Sequence, residues 1–373
     1  MSFSSGGRLN WWMGAVVSVS LLGACGAPEE RAGEVPTEGE SARDAVAGDV
    51  AVKLSVPRSS LAARESVSVT VTLTNVAKDT VRLLKWHTPT DGLKEDLFAV
   101  TVDGAKAEYN GRHYKWATPV TTDFLRLAAG ESVSYTVDLG TIYDFSKTGS
   151  YSIRYDSDGH HSDVGHEGIS QLRSDSVELF VEGREFQAPV AWGNDTVTAQ
   201  ALSTSSCTGS RPASTVSTAF STAQSMTNNS VNYLNVSNPL PSPATRFTTW
   251  FGPNTTANVS TIRSHFAAIK SAFDTRNVIV DCACSDSAYA YVYKNQPYRI
   301  YVCNAFWSAP MSGTDSKGGT LIHEMSHFTA VSDTDDWAYG QSACRSLTSS
   351  NSARARDNAD SHEYFAENTP ALP

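Results

Sequence analysis

Residues 318–327, Gly-Gly-Thr-Leu-Ile-His-Glu-Met-Ser-His, hold two histidines and a glutamate at a spacing that suits metal chemistry. On a helix His323 and His327 lie one turn apart and share a face. Two imidazoles so placed can hold one zinc ion, and Glu324 beside them can take a proton from a water on that ion. Apolar Leu321 and Ile322, directly before the motif, argue for a buried helix. A buried His-Glu-His face without a metal would be costly.

Zinc in a reactive site needs a third protein ligand and an open position for water. Downstream runs Asp333-Thr334-Asp335-Asp336-Trp337-Ala338-Tyr339-Gly340. A carboxylate here can return to the metal after a turn, and spacing alone does not choose among Asp333, Asp335 and Asp336. A second acidic feature is Asn358-Ala359-Asp360-Ser361-His362-Glu363-Tyr364-Phe365-Ala366-Glu367-Asn368. On a helix Asp360 and Glu363 point the same way, and two such carboxylates repel unless a cation sits between them. The bland alternative is a solvated acidic helix face. From Glu324 to the C-terminus there are eight acidic residues, three Arg and no Lys, so the local field favours a cation.

The elements that must carry these groups lie in the second half of the chain. Helices are expected over 213–236, 320–331, 338–348 and 355–367. Residues 260–273 add an amphipathic helix with Ile262, Phe266, Ile269 and Phe273 on one face. Strands are expected at 278–280, 288–293 and 300–302, which makes this half α+β. Residues 49–185 instead read as all-β. The run Val67–Leu73 alternates with period two, and similar runs occur at 83–86, 98–102, 133–139, 151–155 and 177–181. Short strands at this spacing predict an immunoglobulin-like sandwich. No site residues stand out in it, and His160, His161 and His166 read as a solvated loop. Residues 186–206 read as a linker.

The N-terminus reads as a processing signal. Arg8 precedes an apolar run from Trp11 to Ala24 that is short for a membrane span. Its end, Leu22-Gly23-Ala24-Cys25, resembles a lipobox, which implies lipidation of Cys25 and membrane anchoring. Residues 26–48 read as a flexible tether. The other cysteines are Cys207, Cys282, Cys284, Cys303 and Cys344, a clustering expected for disulfides in an oxidising compartment. One of these five must stay unpaired within the chain, and Cys344, in a helical stretch, is the candidate. With 373 residues and a net charge of −10, the chain accommodates two domains and is a poor nucleic-acid binder.

The HExxH segment with its downstream loop resembles the aspzincins, the deuterolysin and peptidyl-Lys metalloendopeptidase family, whose second motif is GTxDxxYG. That motif matches at Thr334, Asp336, Tyr339 and Gly340, while Asp333 replaces its first Gly. The resemblance implies Asp336 as third ligand, Glu324 as general base and Tyr339 as donor to the oxyanion, with one zinc in the catalytic domain. Residues 358–368 resemble the NADxHEYFxEN segment of the peptidyl-Lys branch, which implies that Asp360 and Glu363 hold a substrate lysine. Thr248–Gly252, Tyr289–Tyr293, Ala305–Trp307 and Gly313–Ser316 resemble the same branch.

The resemblance covers roughly 203–373, implies the pairings Cys207–Cys282 and Cys284–Cys303, and makes the β-rich half a propeptide domain. The expectation is an exported or lipid-anchored proenzyme that cleaves proteins before lysine. A broad-specificity deuterolysin-type protease and a surface adhesin with a vestigial zinc site are the alternatives. A cysteine switch is excluded, because after Cys25 the propeptide region has no cysteine. No lysine falls between Lys147 and Lys270, so self-release at the linker is expected to be inefficient.

Overall fold

The computed structural model describes residues 42–157, 172–186 and 201–373. Cys25 and His160, His161 and His166 lie outside them. Among the described residues, twelve strands precede residue 186: β1 Arg43–Asp44, β2 Val50–Ser55, β3 Ser60–Leu61, β4 Ser68–Asn75, β5 Val81–Leu84, β6 Phe98–Val102, β7 Ala105–Lys106, β8 His113–Lys115, β9 Phe124–Leu127, β10 Ser132–Asp138, β11 Gly149–Tyr155 and β12 Val177–Val181. Strict alternation drives the longest pairing. In β4 the residues Val69, Val71 and Leu73 are buried, while Thr70, Thr72 and Thr74 bond across the strands to Thr136, Ser134 and Ser132 of β10. The strands form the sheets β10-β4-β2, β3-β12-β11-β6-β7 and β1-β5-β9. Their inner faces share one core around Val71, Val100, Tyr143, Ile153 and Tyr155.

Arg43 and Asp44, inside the stretch read as tether, pair with β5, tied there by the Asp44–Arg82 ion pair.

The second half contains β13 Ala201–Ser205, α1 Ala213–Leu234, α2 Thr245–Phe251, α3 Thr256–Thr275, β14 Asn277–Asp281, β15 Ala290–Val292, β16 Arg299–Val302, α4 Asn304–Ser308, α5 Lys317–His327, α6 Gly340–Ser350, α7 Ser352–Arg356 and α8 Ala359–Glu367. Strand β13 falls in the stretch read as linker, where it pairs in parallel with β14. Helix α3 starts at the Thr255 cap and buries Val259, Ile262, Phe266, Ile269 and Phe273. Each such side chain contributes on the order of 1.5–3 kcal/mol when fully buried. The stretch 355–367 is two helices rather than one, broken around Asp357 and Asn358.

The disulfide Cys207–Cys282 pins the start of this half to the end of β14, Cys284–Cys303 joins the segments that follow β14 and β16, and Cys344 is free and buried.

The sheet here has the order β13-β14-β16-β15-β8. Its last strand, β8, comes from the β-rich half, a pairing that local pattern did not announce. It runs antiparallel to β15, with Lys115 opposite Ala290, Tyr114 opposite Tyr291 and His113 opposite Val292. An aromatic cluster seals this junction: Trp86 stacks on Trp116 at 4.4 Å, Tyr114 on Trp116 at 4.6 Å, and Tyr291 on Tyr301 at 4.6 Å.

Candidate active site

Helix α5 is buried at all eleven positions, and α8 at all nine, so neither shows an exposed polar face. Their polar side chains meet one another inside the protein. Ser316 caps α5 by accepting from Gly319 N at 3.0 Å. Gly319 is required by the packing of the two helices, since a Cβ there would lie 2.2 Å from Glu367 Oε1 and 2.9 Å from Glu363 Oε1.

One turn of α5 brings His323 Nε2 and His327 Nε2 to 3.1 Å. Asp336 lies across from both, Oδ1 at 3.2 Å from His323 Nε2 and Oδ2 at 3.2 Å from His327 Nε2. Tetrahedral ligands about 2.0 Å from a zinc ion would be about 3.3 Å apart. The three groups therefore have the spacing of one metal's ligands, and facing imidazole nitrogens gain little from each other without a cation between them. Thr334 O accepts from His327 Nδ1 at 2.7 Å, which puts the proton there and leaves Nε2 free to hold a metal. Asp360 Oδ1 lies 2.8 Å from His323 Nδ1 and favours the same tautomer.

Glu324 is fully buried beside this triad, and neither carboxylate oxygen has a hydrogen-bond partner among the described residues. Burial pushes its carboxyl up to about 7, where it can take and return a proton near neutral pH.

The three downstream aspartates have separate fates. Lys294 holds Asp335 at 2.6 Å and Asp333 at 3.4 Å, which turns both away from the histidines and leaves Asp336 facing them. Asp333 sits at φ +53°, the left-handed region that a glycine would take freely and an aspartate tolerates. The position where the motif has its first Gly is thus one whose backbone conformation suits a glycine and admits this aspartate. Asn358 clamps this loop: its Oδ1 accepts from Trp337 N and Ala338 N, and its Nδ2 donates to Ala338 O. The sequence reading gave neither Asn358 nor Lys294 a positioning role: Asn358 is the first residue of the NADxHEYFxEN-like segment, whereas Lys294 carries no motif signal.

Asp360 and Glu363 stand behind the metal triad. Between them lies the ammonium of Lys115 from β8, 2.8 Å from Glu363 Oε2, 3.0 Å from Asp360 Oδ1 and 3.4 Å from Asp315 Oδ1. Tyr289 and Tyr364 flank it, with ring centroids at 5.2 and 5.7 Å. Seven lysines precede residue 206, and only Lys115 is buried, at 1% exposure. Asp360 touches both the metal side and the ammonium, so it belongs to two sites at once. Tyr339 Oη donates to Tyr114 O at 2.5 Å. His113 completes the strand's approach. A ring nitrogen of His113, one of His327 and an oxygen of Asp336 all lie within 4.8 Å of one another. The β-rich half, in which no site residues stood out, thus supplies three residues to this cleft.

Two imidazoles and a carboxylate at the spacing of one metal's ligands, beside a buried glutamate with no hydrogen-bond partner among the described residues, suit metal-assisted hydrolysis. Comparison with known proteins gives the family. A family model described as lysine-specific metallo-endopeptidase, Aspzincin_M35, matches residues 237–367. An extracellular protease of Aeromonas hydrophila is 38% identical over 82% of this chain and 89% of its own length. A peptidyl-Lys metalloendopeptidase of Armillaria mellea is 38% identical over 82% of this chain and 88% of its own. A zinc peptidase structure from Grifola frondosa is 43% identical, covers 43% of this chain and 96% of that one, and has a TM-score of 0.41. The chain belongs to the aspzincin family and is a zinc metalloendopeptidase.

Proposed function

We propose that this enzyme is exported as a precursor and hydrolyses peptide bonds on the N-terminal side of lysine. One observation carries the specificity: a lysine ammonium fits between Asp360 and Glu363, directly behind His323, with its backbone paired to β15. Extended substrates would add to the same strand edge, as many peptides do.

In this reading His323, His327 and Asp336 hold one zinc ion, which would supply Lewis acidity to the scissile carbonyl and to a water. Glu324 takes the proton of that water and passes it to the leaving amine. Tyr339 Oη, already bonded to a peptide carbonyl, donates to the oxyanion as the carbonyl carbon becomes tetrahedral. Asp360 and Glu363 fix the lysine side chain, and with it the position of the bond. Two disulfides and a relative named an extracellular protease support export. The sandwich serves as the propeptide domain, and anchoring through Cys25 belongs to the same reading.

Digesting an unlabelled protein and sequencing the new N-termini tests this. Lysine at the first position of most products is expected. Products with mixed first residues would replace the lysine reading with a broad-specificity one.

A further inference from the structure

The segment His113-Tyr114-Lys115 meets the cleft in the register of a substrate. Strand β8 adds antiparallel to β15, and Tyr289 N donates to Lys115 O at 2.8 Å. Alternation in a strand sends His113 and Lys115 to one face and Tyr114 to the other. Lys115 fills the acidic pocket with three carboxylates within 3.4 Å. Tyr114 O, the carbonyl on the N-terminal side of that lysine, is the one that Tyr339 Oη donates to. The Tyr114–Lys115 bond therefore stands where a scissile bond would. His113 Nε2 is buried with no hydrogen-bond partner among the described residues, and the ring lies tilted over His327 with centroids 5.4 Å apart.

We propose that β8 is the inhibitor of this enzyme: Lys115 occupies the lysine pocket, and His113 takes the fourth ligand position that the attacking water needs. The proposal rests on the lysine-specific reading above. Such an arrangement would protect a substrate-like bond from being cut beside the catalytic groups. With His323, His327 and Asp336, His113 would fill the position that a reactive zinc site keeps open. A cavity of about 280 Å³ lined by His113, Tyr109, Lys294 and Asp336 adjoins the ring, so water can enter once the imidazole leaves. The chain then cuts itself. A water oxygen joins the Tyr114 carbonyl carbon, and the bond to the Lys115 nitrogen breaks. Glu324 carries the proton from the water to that nitrogen, leaving a Tyr114 carboxylate and a new N-terminus at Lys115. First self-cleavage belongs at Tyr114–Lys115, within the β-rich half, rather than in the lysine-free stretch 183–206.

Five zinc-loaded full-length proteins test this: wild type, Lys115→Ala, His113→Ala, Glu324→Gln, and Glu324→Gln with His113→Ala. Turnover of a lysine peptide, N-terminal sequence with time, and the rate of zinc loss to a chelator are followed. Lys115→Ala should raise peptide turnover about tenfold or more over wild type, with no cut at 114–115. His113→Ala should yield a new N-terminus at Lys115, absent when Glu324→Gln is also present. In the inactive Glu324→Gln background, His113→Ala should speed zinc loss about tenfold or more, a readout independent of activity. If Lys115→Ala melts below the assay temperature, Lys115→Met keeps the buried stem and replaces it. Equal turnover of wild type and the Lys115 variant overturns β8 as inhibitor. Equal zinc loss in the two Glu324→Gln proteins overturns His113 as a ligand. Failure of the lysine reading looks different: every protein would then cut lysine-free peptides as well as lysine peptides, whatever the ratio between variant and wild type.

Discussion

Glu363→Gln tests the proposed lysine pocket apart from every other task of the cleft. Glu363 Oε2 lies 2.8 Å from the Lys115 ammonium but 3.6 Å from His323 Nδ1. At 2.8 Å, two unit charges attract by about 6 kcal/mol for an effective dielectric near 20. Desolvation of the carboxylate offsets part of that. Removing one charge of a buried pair costs about 2–5 kcal/mol, or roughly 30- to 4000-fold in kcat/KM. The assay uses the Lys115→Ala background, so that the pocket is open, and two peptides that differ only by lysine or norleucine after the scissile bond. The lysine peptide should lose that factor while the norleucine peptide changes less than about threefold. Zinc content should stay at wild-type level. Asp360→Asn should produce the same lysine loss and in addition weaken zinc by about 10- to 100-fold, because Asp360 also faces His323 Nδ1 at 2.8 Å. Equal loss on both peptides for Glu363→Gln would refute the pocket assignment and make Glu363 a structural group.

Other expectations use the same geometry. Glu324→Gln should retain zinc and lose about 10²- to 10⁴-fold in kcat, whereas Asp336→Ala should lose metal; full metal content in Asp336→Ala would return Asp333 or Asp335 as candidates. Tyr339→Phe should lower kcat by about 10²- to 10³-fold with zinc unchanged, and an unchanged kcat would remove Tyr339 from the oxyanion site. The buried pair His265 and His362, with Nδ1 and Nε2 2.9 Å apart, sets an acid limit. Burial lowers His265 to about 4 and His362 to about 3 from an ordinary 6.5. Between those values and 6.5 the unfolded chain binds more protons, so stability falls as pH drops below 6.5, by up to about 1.4 kcal/mol per pH unit for each histidine. Melting of wild type against His265→Gln at pH 7 and pH 5 checks this, and identical pH slopes would show that the pair is silent.

Much of the candidate metal site was legible in the sequence. His323, Glu324 and His327 belong to one helical turn, and helix geometry alone fixes which groups share a face. Covalent neighbours and a fixed rise per residue leave little for the rest of the fold to change. The same holds for α3, whose apolar stripe is the one buried, and for β4, whose period-two alternation is the pairing seen. Asp336 could not be chosen by spacing from its two acidic neighbours, because the choice depends on Lys294, which reaches in from beyond β15 to hold Asp333 and Asp335. Asp360 and Glu363 were visible as an acidic pair, but Asp360's second partner, His323, is 37 residues away in sequence and adjacent only through the packing of α8 on α5.

Least legible was β8. His113, Tyr114 and Lys115 make a three-residue strand among seven lysines of the first half, and no local pattern marks one lysine from another. Its role exists only because a strand edge accepts any backbone that can complete its hydrogen bonds. Side-chain periodicity reports which face of an element is buried; it carries no information about which distant segment closes an open edge. That choice was made by the acidic pocket and the aromatic seal around Trp86 and Trp116, groups that meet only in the folded chain.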